Sequence, residues 1–317
     1  MTPTVMTVRG LVPAAALGFT LPHEHVLLDL VRVFPANMLA FDFQLIDEEV
    51  ALEEVGRYVT AAASFAPGRP ALVDTTTDAR MGRDPVALRR IAETLDLHLV
   101  MGCGRYREPW FEPELGQVST AALAERFIEE IEHGVGDTGI RPGIIGELGA
   151  DRDFVSPAEE RVLRAGARAH KRTGLAITLH ARASHVGMQQ LDILADEGVD
   201  LRRVIVGHSD TVPDPDFHEA LARRGAWVEF DTIRGRIPLV VERRLAWILE
   251  MRRRGLLGRL LLSHDVCAQS HLRAFGNTGY DYLPTTFRER LADAGITDDE
   301  QRRLFVDNPR AALTGED

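Results

Sequence analysis

The sequence predicts an α/β fold, a (β/α)8 TIM barrel with a short N-terminal β-hairpin, from three observations. Short apolar runs alternate with longer amphipathic segments along the whole chain. Most of the eight runs end in a histidine, glutamate or aspartate. The chain has 317 residues, 45% of them hydrophobic, which is enough for one barrel. We therefore expect a single domain over residues 1–317.

The first predicted element is the hairpin. Two short β-type runs, residues 5–8 and 11–12, lie on either side of Arg9 and Gly10. We expect this hairpin to cap one end of the barrel.

Eight β-type runs follow the hairpin. Their bodies are almost continuously apolar, as in residues 142–146, 175–179, 204–207 and 260–263. Continuous apolarity, in place of alternation, is typical of parallel strands that are covered on both faces. The expected strand ends lie near His25, Thr77, Gly102, Glu147, His180, His208, Asp231 and Asp265.

Amphipathic segments predict helices at 47–65, 118–134, 157–173, 185–197 and 239–255. Ser156 and Pro157, followed by acidic residues, form a helix-start signal, because serine caps the first turn and proline fits the first helical position. A count of elements allows either an open doubly wound sheet or a barrel. The polar residues at the strand ends favour the barrel, whose active sites lie at the carboxyl ends of the strands.

Composition narrows the class of partner. The formal net charge is −11, so the chain has no long-range attraction for nucleic acid or for an anionic membrane. No apolar run reaches the roughly 18 residues of a membrane span, and the first residues lack a secretory signal. Cys103 and Cys267 alone build neither a disulfide framework nor a four-cysteine zinc site. We expect a small-molecule substrate and a cytoplasmic location.

Six residues of metal-binding type follow the predicted strands. His23 and His25 alternate on the first strand, so both imidazoles face one side and Glu24 faces the other. The other four are Glu147, His180, His208 and Asp265. A buried carboxylate needs a cation or a proton to offset its burial. This requirement favours a divalent metal over the alternative, a hydrogen-bonded polar plug in the barrel mouth.

The number of ligands predicts two divalent metal ions. One catalytic zinc takes three protein ligands and keeps a position open, so six ligands suit two ions that share a carboxylate, naturally Glu147. Nitrogen and oxygen ligands without thiolate suit zinc first, with manganese, cobalt or iron as alternatives. Two such ions would supply a bridging hydroxide near neutral pH, and Asp265 would be the catalytic proton acceptor.

The chain resembles the phosphotriesterase family of the amidohydrolase superfamily, from Thr20 to Leu313. The motifs that carry the resemblance are Thr20-Leu-Pro-His-Glu-His25, Leu179-His180, Gly207-His208, Ser263-His-Asp265 and Asp307-Asn-Pro309. Founding members carry a carbamylated lysine at the strand-four bridge, where this chain has Glu147. Lys171 does not replace that lysine, because it lies in a predicted helix. The resemblance is therefore to the glutamate-bridged branch, which includes phosphotriesterase-homology and lactonase-like proteins.

The resemblance also implies how the metals are shared. His23, His25 and Asp265 would hold the more buried ion, and His180 with His208 the more exposed one. It further implies a homodimer.

Two residues are expected to bind substrate by the same resemblance. Tyr106 and Arg234 stand where lactone-hydrolysing relatives place a tyrosine and an arginine near the substrate. The alternatives are that Tyr106 packs against Trp110 and that Arg234 forms a surface ion pair.

We expect a carboxylic ester or a lactone as the substrate, with an amide as a close variant and a phosphotriester as the other enzymatic alternative. Several cationic side chains at the mouth suit a substrate with a carboxylate or phosphate better than a large neutral triester. An alternative of another class is a barrel that binds a ligand and has lost catalysis. The intact set of six ligands argues against that alternative.

Overall fold

A computed structural model of the protein describes residues 2–32 and 38–316. It begins with a hairpin of two antiparallel strands, β1 (Thr4–Thr7) and β2 (Gly10–Pro13), with Thr7 opposite Gly10. The predicted hairpin is confirmed. Val5 belongs to the buried apolar cluster inside the amino end of the barrel, and Val12 packs against that cluster. The hairpin therefore caps this end, as expected.

Ten further strands follow. They are β3 (Leu17–Glu24), β4 (Leu28–Asp29), β5 (Gln44–Leu45), β6 (Arg69–Asp74), β7 (His98–Cys103), β8 (Ile144–Gly149), β9 (Ile177–His180), β10 (Val204–Gly207), β11 (Trp227–Phe230) and β12 (Leu260–Leu262). Strands β4 and β5 form a small antiparallel pair. The other eight form one parallel sheet in chain order, from β3 and β6 to β12. This arrangement confirms the predicted (β/α)8 class.

Helices surround the sheet. They are α1 (Glu48–Ala62), α2 (Pro85–Thr94), α3 (Thr120–His133), α4 (Pro157–Thr173), α5 (Val186–Asp196), α6 (Pro215–Arg223), α7 (Pro238–Arg253), α8 (Arg288–Asp293), α9 (Asp298–Arg302) and α10 (Asn308–Thr314). The five predicted helices correspond to α1, α3, α4, α5 and α7. At the start of α4, Ser156 caps the first turn as predicted, and the Glu159 side chain accepts the Ser156 N–H in return. Within the described residues, no helix is long and apolar enough to cross a membrane.

Two predicted strand ends were placed too late in the chain. Strand β6 ends at Asp74 and not near Thr77, because the Asp74 carboxylate accepts the N–H groups of Val26 and Thr76 and turns the chain out of the ladder. Strand β12 ends at Leu262, before Asp265. The ladder cannot continue through Asp265, which has a left-handed φ of +51°.

The sheet closes almost completely, between β12 and β3. The Asp265 N–H donates to the His23 carbonyl (3.3 Å), and the His25 N–H donates to the Val266 carbonyl (3.2 Å). The buried Glu24 carboxylate spans the same seam. It accepts hydrogen bonds from the Ser263 hydroxyl and from the N–H groups of His264 and Val266, at 2.8, 2.9 and 2.8 Å. Glu24 therefore faces away from the two histidines beside it, as the strand period predicts.

The interior of the barrel differs between its two ends. At the amino end it is filled by an apolar cluster. Its members include Leu17, Ala71, Val73, Val100, Ile144, Ala176, Ile205, Trp227 and Leu261. At the carboxyl end the buried side chains are histidines and carboxylates. Any polar chemistry of the barrel therefore lies at the carboxyl ends of its strands.

Candidate metal centre

All six predicted ligands meet at the carboxyl end of the barrel. His23 and His25 lie at the end of β3, Glu147 in β8, His180 at the end of β9, His208 directly after β10, and Asp265 beyond β12. Five of them are almost fully buried, and the Asp265 side chain is 14% exposed. The residues that could hold a metal ion fall into overlapping groups, which include His23 with His25 and Asp265, and Glu147 with His180 and His208.

Glu147 lies between the two groups of histidines. Its Oε1 is 3.6 Å from Nε2 of His25. Its Oε2 is 3.0 Å from Nδ1 of His180 and 3.2 Å from Nε2 of His208. Oε2 also lies 3.6 Å from Nε2 of His23, so the carboxylate is within reach of all four imidazoles, as a ligand shared by two ions requires.

The two oxygens of Asp265 face different neighbours. Oδ1 is 3.5 Å from Nε2 of His25 and 4.0 Å from Nε2 of His23. Oδ2 is 3.7 Å from Nη1 of Arg234 and 3.7 Å from Sγ of Cys267. Asp265 can therefore offer one oxygen to a cation beside His25 and keep the other for a proton.

The donor set fits divalent cations. Two ligand atoms on a tetrahedral ion at about 2.1 Å lie about 3.4 Å apart, close to most of the distances above. Nε2 of His23 is buried and has no hydrogen-bond partner among the described residues, so a metal would satisfy an otherwise orphaned atom. Nδ1 of His180 and Nε2 of His208 approach to 2.7 Å, as two nitrogens directed at one point do.

Two carboxylates behind the histidines hold the imidazole rings in place. Glu229 Oε2 is 3.0 Å from Nδ1 of His23, and Asp231 Oδ1 is 2.8 Å from Nδ1 of His208. Carboxylates at this position fix the tautomer, leaving Nε2 free to bind metal. The sequence analysis assigned them no role. Their spacing offered a signal, because Glu229 and Asp231 follow the strand period of two within an apolar run and so face the same side.

The other two histidines are oriented differently. Nδ1 of His25 is 2.9 Å from the Thr76 hydroxyl, which in turn donates to the Leu27 carbonyl. Nε2 of His25 therefore faces the candidate metal centre. His180 presents Nδ1 instead. These tautomers follow from the hydrogen-bond network.

The charges of the site are strongly coupled. Burial alone would lower the pKa of His23, but Asp231, Glu229 and Glu147 raise it to about 10. Burial and the neighbouring His208 lower the pKa of His180 to about 4. Burial would raise the pKa of Glu147, yet the surrounding histidines hold it well below its usual range. Near neutral pH the His180 imidazole is therefore neutral and the Glu147 carboxylate is ionised, whereas His23 must release a proton before its imidazole can bind a metal.

The backbone is unusual at two of the ligands. His208 has φ of +56° and Asp265 has φ of +51°, in the left-handed region that side chains with a Cβ rarely adopt. The Asp231 carboxylate holds the first of these, since its Oδ2 accepts the His208 N–H at 2.8 Å. Strain of this kind persists where surrounding contacts fix the geometry, and it clusters at functional sites.

A cavity of about 390 Å³ opens above the ligands. Five of the six predicted ligands line it: His25, Glu147, His180, His208 and Asp265. Both residues expected to contact substrate, Tyr106 and Arg234, also line it. The predicted ligands and the predicted substrate residues therefore share one site.

Tyr106 has two sets of contacts. Its ring meets Trp110 edge to face, with centroids 5.2 Å apart, and it meets the imidazole of His180 at 4.9 Å. The alternative contact, packing on Trp110, is present. It does not remove Tyr106 from the site, because the same ring covers a predicted ligand.

Arg234 braces the strand end that carries Asp265. Its Nη1 donates to the carbonyl oxygens of His264 and Asp265, at 2.8 and 2.6 Å. The side chain is 23% exposed and its Nη1 lies 3.7 Å from Oδ2 of Asp265, so the ion pair of Arg234 is with a partly buried residue of the site.

Comparison with known proteins supports the fold and the resemblance drawn from the motifs. The sequence profile described as the phosphotriesterase family matches residues 3–313. The phosphotriesterase homology protein of Escherichia coli is 34% identical over 92% of this chain and 96% of its own sequence. Its crystal structure, described with phosphate in the active site, superposes with a TM-score of 0.86 over 93% of this chain and 98% of that one. The predicted resemblance is confirmed.

Two further relatives differ in what they are named for. A resiniferatoxin-binding protein from Rhodobacter sphaeroides is 30% identical and superposes with a TM-score of 0.88, covering 98% of this chain and 95% of its own. The human N-acetyltaurine hydrolase is 27% identical over 98% of this chain and 97% of its sequence. Of these two relatives, one is named for binding a ligand and the other for hydrolysing an amide.

Proposed function

The chain belongs to the phosphotriesterase family, and we propose that it is a hydrolase that uses two divalent metal ions to cleave a carboxylic ester or lactone. The observation that carries the proposal is the convergence of four imidazoles and two carboxylates beneath one cavity. Zinc is the first choice of metal, with manganese, cobalt or iron as alternatives, because the ligands are nitrogen and oxygen atoms.

The ligands divide between two positions in this proposal. His23, His25 and Asp265 would hold one ion, His180 and His208 would hold the other, and Glu147 would be the ligand that they share. Two such ions would supply a hydroxide near neutral pH and polarise the substrate oxygen. Glu229 and Asp231 hold the rings of His23 and His208 so that Nε2 of each is directed into the site.

Asp265 acts as the proton acceptor. Its Oδ1 is directed at His25, whereas Oδ2 lies towards the cavity wall near Arg234 and Cys267. Oδ2 is thus the oxygen that takes the proton of the attacking water and delivers it to the leaving group. Arg234 fixes the carboxylate by holding the Asp265 carbonyl.

Tyr106 and Arg234 position the substrate. Tyr106 covers His180 and Arg234 lines the opposite part of the cavity wall. Leu28, Leu30, Phe43, Met81 and Trp110 add apolar surface that shields the reacting bond from bulk water. Three arginines on the wall make a large neutral phosphotriester a poor fit and favour an anionic substrate.

An amide substrate is the second candidate. It is favoured by the human relative named N-acetyltaurine hydrolase, which matches over almost the full length of both chains. The same attack on an acyl carbon serves an ester and an amide, and only the leaving group differs. A third candidate, ligand binding without turnover, is represented by the relative named for binding resiniferatoxin.

A substrate panel separates these candidates. Metal-replete protein is assayed with lactones, carboxylic esters, N-acyl amides and phosphotriesters, and kcat/KM is compared within each class. We expect the highest values for lactones or esters. Higher values for amides would select the second candidate. Absence of turnover in every class, with both metals present, would contradict the hydrolase proposal and leave ligand binding.

Three expectations from the sequence remain predictions. These are a cytoplasmic location, a homodimeric assembly, and the absence of nucleic-acid and membrane partners. Analytical ultracentrifugation tests the second of them directly.

A further inference from the structure

The mouth of the cavity has an apolar side, and Arg182 lies across the barrel from it. The apolar lining residues Leu30, Phe43, Met81 and Trp110 come from the loops that follow β3, β6 and β7. Arg182 follows β9. In the order of the eight strands, β9 lies across the barrel from β3. A bound molecule that spans the site would therefore meet apolar side chains at one end and a guanidinium at the other.

Three arginines line the cavity, but their charges are not equally available. Arg107 forms an ion pair with Asp151 at 2.9 Å and lies over the ring of Trp110, 4.1 Å from its centroid. Arg234 donates to two backbone carbonyls and lies 3.7 Å from the Asp265 carboxylate. Both guanidiniums are already engaged by the protein.

Arg182 is different from the other two arginines. It is exposed, and within residues 2–32 and 38–316 it has neither a hydrogen bond nor an ion pair. It lies two residues after His180, a ligand of the proposed centre, so its position is tied to the reacting end of β9. An arginine that the protein leaves unpaired beside a reaction site is available to an anionic group of a ligand.

We propose that Arg182 is the residue that recognises a permanent negative charge on the substrate. The substrate is accordingly an amphipathic acyl compound. Its carboxylate or sulfonate lies towards β9, its apolar part lies against the loops after β3, β6 and β7, and its scissile bond lies between them over Glu147. This inference rests on the proposed hydrolase function and deepens it.

The proposal is consistent with the electrostatics of the whole chain. The net charge of −11 would repel an anion at long range, so a locally available cation at the mouth is needed to favour anionic substrates. A charge-assisted hydrogen bond that forms on binding changes kcat/KM by about 10- to 100-fold.

Matched substrate pairs provide the test. In the first pair the charge is on the leaving group: the hexanoate ester of 2-hydroxyethanesulfonate against that of 2-(methylsulfonyl)ethanol. In the second pair it is on the acyl group: the phenyl monoester of glutarate against the phenyl ester of its monoamide. The amide counterparts replace the esters if only amides are cleaved. The ratio of kcat/KM, charged over neutral, is measured for the parent, Arg182→Gln and Arg182→Lys.

Arg236→Gln is the matched control, because Arg236 is also exposed and follows β11 but does not line the cavity. We expect Arg182→Gln to lower the ratio about 10- to 100-fold in at least one pair, with the neutral substrate unaffected. Arg182→Lys should retain part of the preference, and Arg236→Gln should retain all of it. Equal ratios for Arg182→Gln and Arg236→Gln in both pairs would overturn the proposal.

Failure of the hydrolase proposal can be distinguished from failure of the role proposed for Arg182. If the metal-replete parent hydrolyses neither pair, Arg182 is tested by calorimetry with hexane-1-sulfonate and its neutral analogue hexyl methyl sulfone. The sulfonate is a weak metal ligand, so its affinity reports mainly on the cationic wall. Tighter binding of the sulfonate by the parent than by Arg182→Gln would support anion recognition without hydrolysis. Equal affinity would contradict the role of Arg182.

Discussion

The two ends of the barrel are built from the same strands but from opposite kinds of side chain. At the amino end, residues such as Ile205 and Trp227 form an apolar plug beneath the β1–β2 hairpin. At the carboxyl end, the same strands finish in histidines and carboxylates, two of them with left-handed backbone. Burial at the amino end stabilises the fold, whereas burial at the carboxyl end opposes it unless cations balance the carboxylates.

The difference indicates that the amino end of each strand serves stability and the carboxyl end serves metal binding and catalysis. Substitutions at the carboxyl end should change metal binding and turnover, and substitutions at the amino end should change the free energy of unfolding. The predictions below test this division, from the largest expected effect to the smallest.

Asp265→Asn should give the largest effect. The amide keeps a ligand oxygen but cannot accept the proton, so turnover should fall by about 10²- to 10⁴-fold. Metal content should fall much less. Steady-state kinetics and elemental analysis of the same preparation check both. Near-parental turnover with both metals bound would mean that another group accepts the proton.

Ile205→Ala should give the largest effect at the other end. Ile205 is 1% exposed inside the apolar plug, so the cavity it leaves should lower the free energy of unfolding by about 2–5 kcal/mol. The kcat of the folded variant should be unchanged. Leu11→Ala, on the exposed face of the hairpin, is the control and should change neither value. A loss of kcat in Ile205→Ala without metal loss would contradict the division.

Glu229→Gln should weaken metal binding without removing a ligand. The neutral amide no longer holds His23 as strongly as the carboxylate that lies 3.0 Å from its Nδ1. Metal affinity should fall by about 10- to 100-fold, measured by competition with a chelator. Glu219→Gln, at a carboxylate outside the cavity, serves as the control. Unchanged affinity would show that Asp231, whose Oδ2 lies 3.4 Å from the same nitrogen, is enough to orient the His23 ring.

His98 should give a small pH effect at the amino end of β7. Burial and the nearby Arg69 and Arg9 lower its pKa from 6.5 to about 4. The folded state therefore binds fewer protons than the unfolded chain, so stability is full above pH 6.5 and is lost as the pH falls towards 4. Screening limits the effect to about 1 kcal/mol. Urea titrations of the parent and of His98→Gln between these pH values give the free energy of unfolding at each pH. If that free energy changes with pH equally in both proteins, His98 does not have this effect.

Much of this arrangement was predictable from local pattern. Apolar runs gave the eight strands, and ligand-type residues at their ends gave His23, His25, Glu147, His180, His208 and Asp265. Amphipathic spacing and the Ser156 cap predicted five of the ten helices described, namely α1, α3, α4, α5 and α7. These features depend on neighbouring residues, so the sequence carries them directly.

What the sequence analysis missed depends on contacts between distant parts of the chain. Glu24 was correctly placed on the far side of β3, but its role at the seam requires knowing that Ser263 and Val266 lie beside it. Glu229 supports His23 only because β11 and β3 lie on either side of β12 in the closed barrel. Arg182 became distinctive only when the partners of Arg107 and Arg234 could be seen.

The account depends most on a binuclear centre bridged by Glu147, and metal stoichiometry tests it most directly. Apo-protein is reconstituted with zinc, freed of excess metal and analysed for zinc per chain, with and without bicarbonate. We expect two ions per chain for the parent irrespective of bicarbonate, because Glu147 already carries its carboxylate, and at most one for Glu147→Gln. A parent that saturates below two ions, or whose metal content rises steeply with bicarbonate, would contradict the bridge.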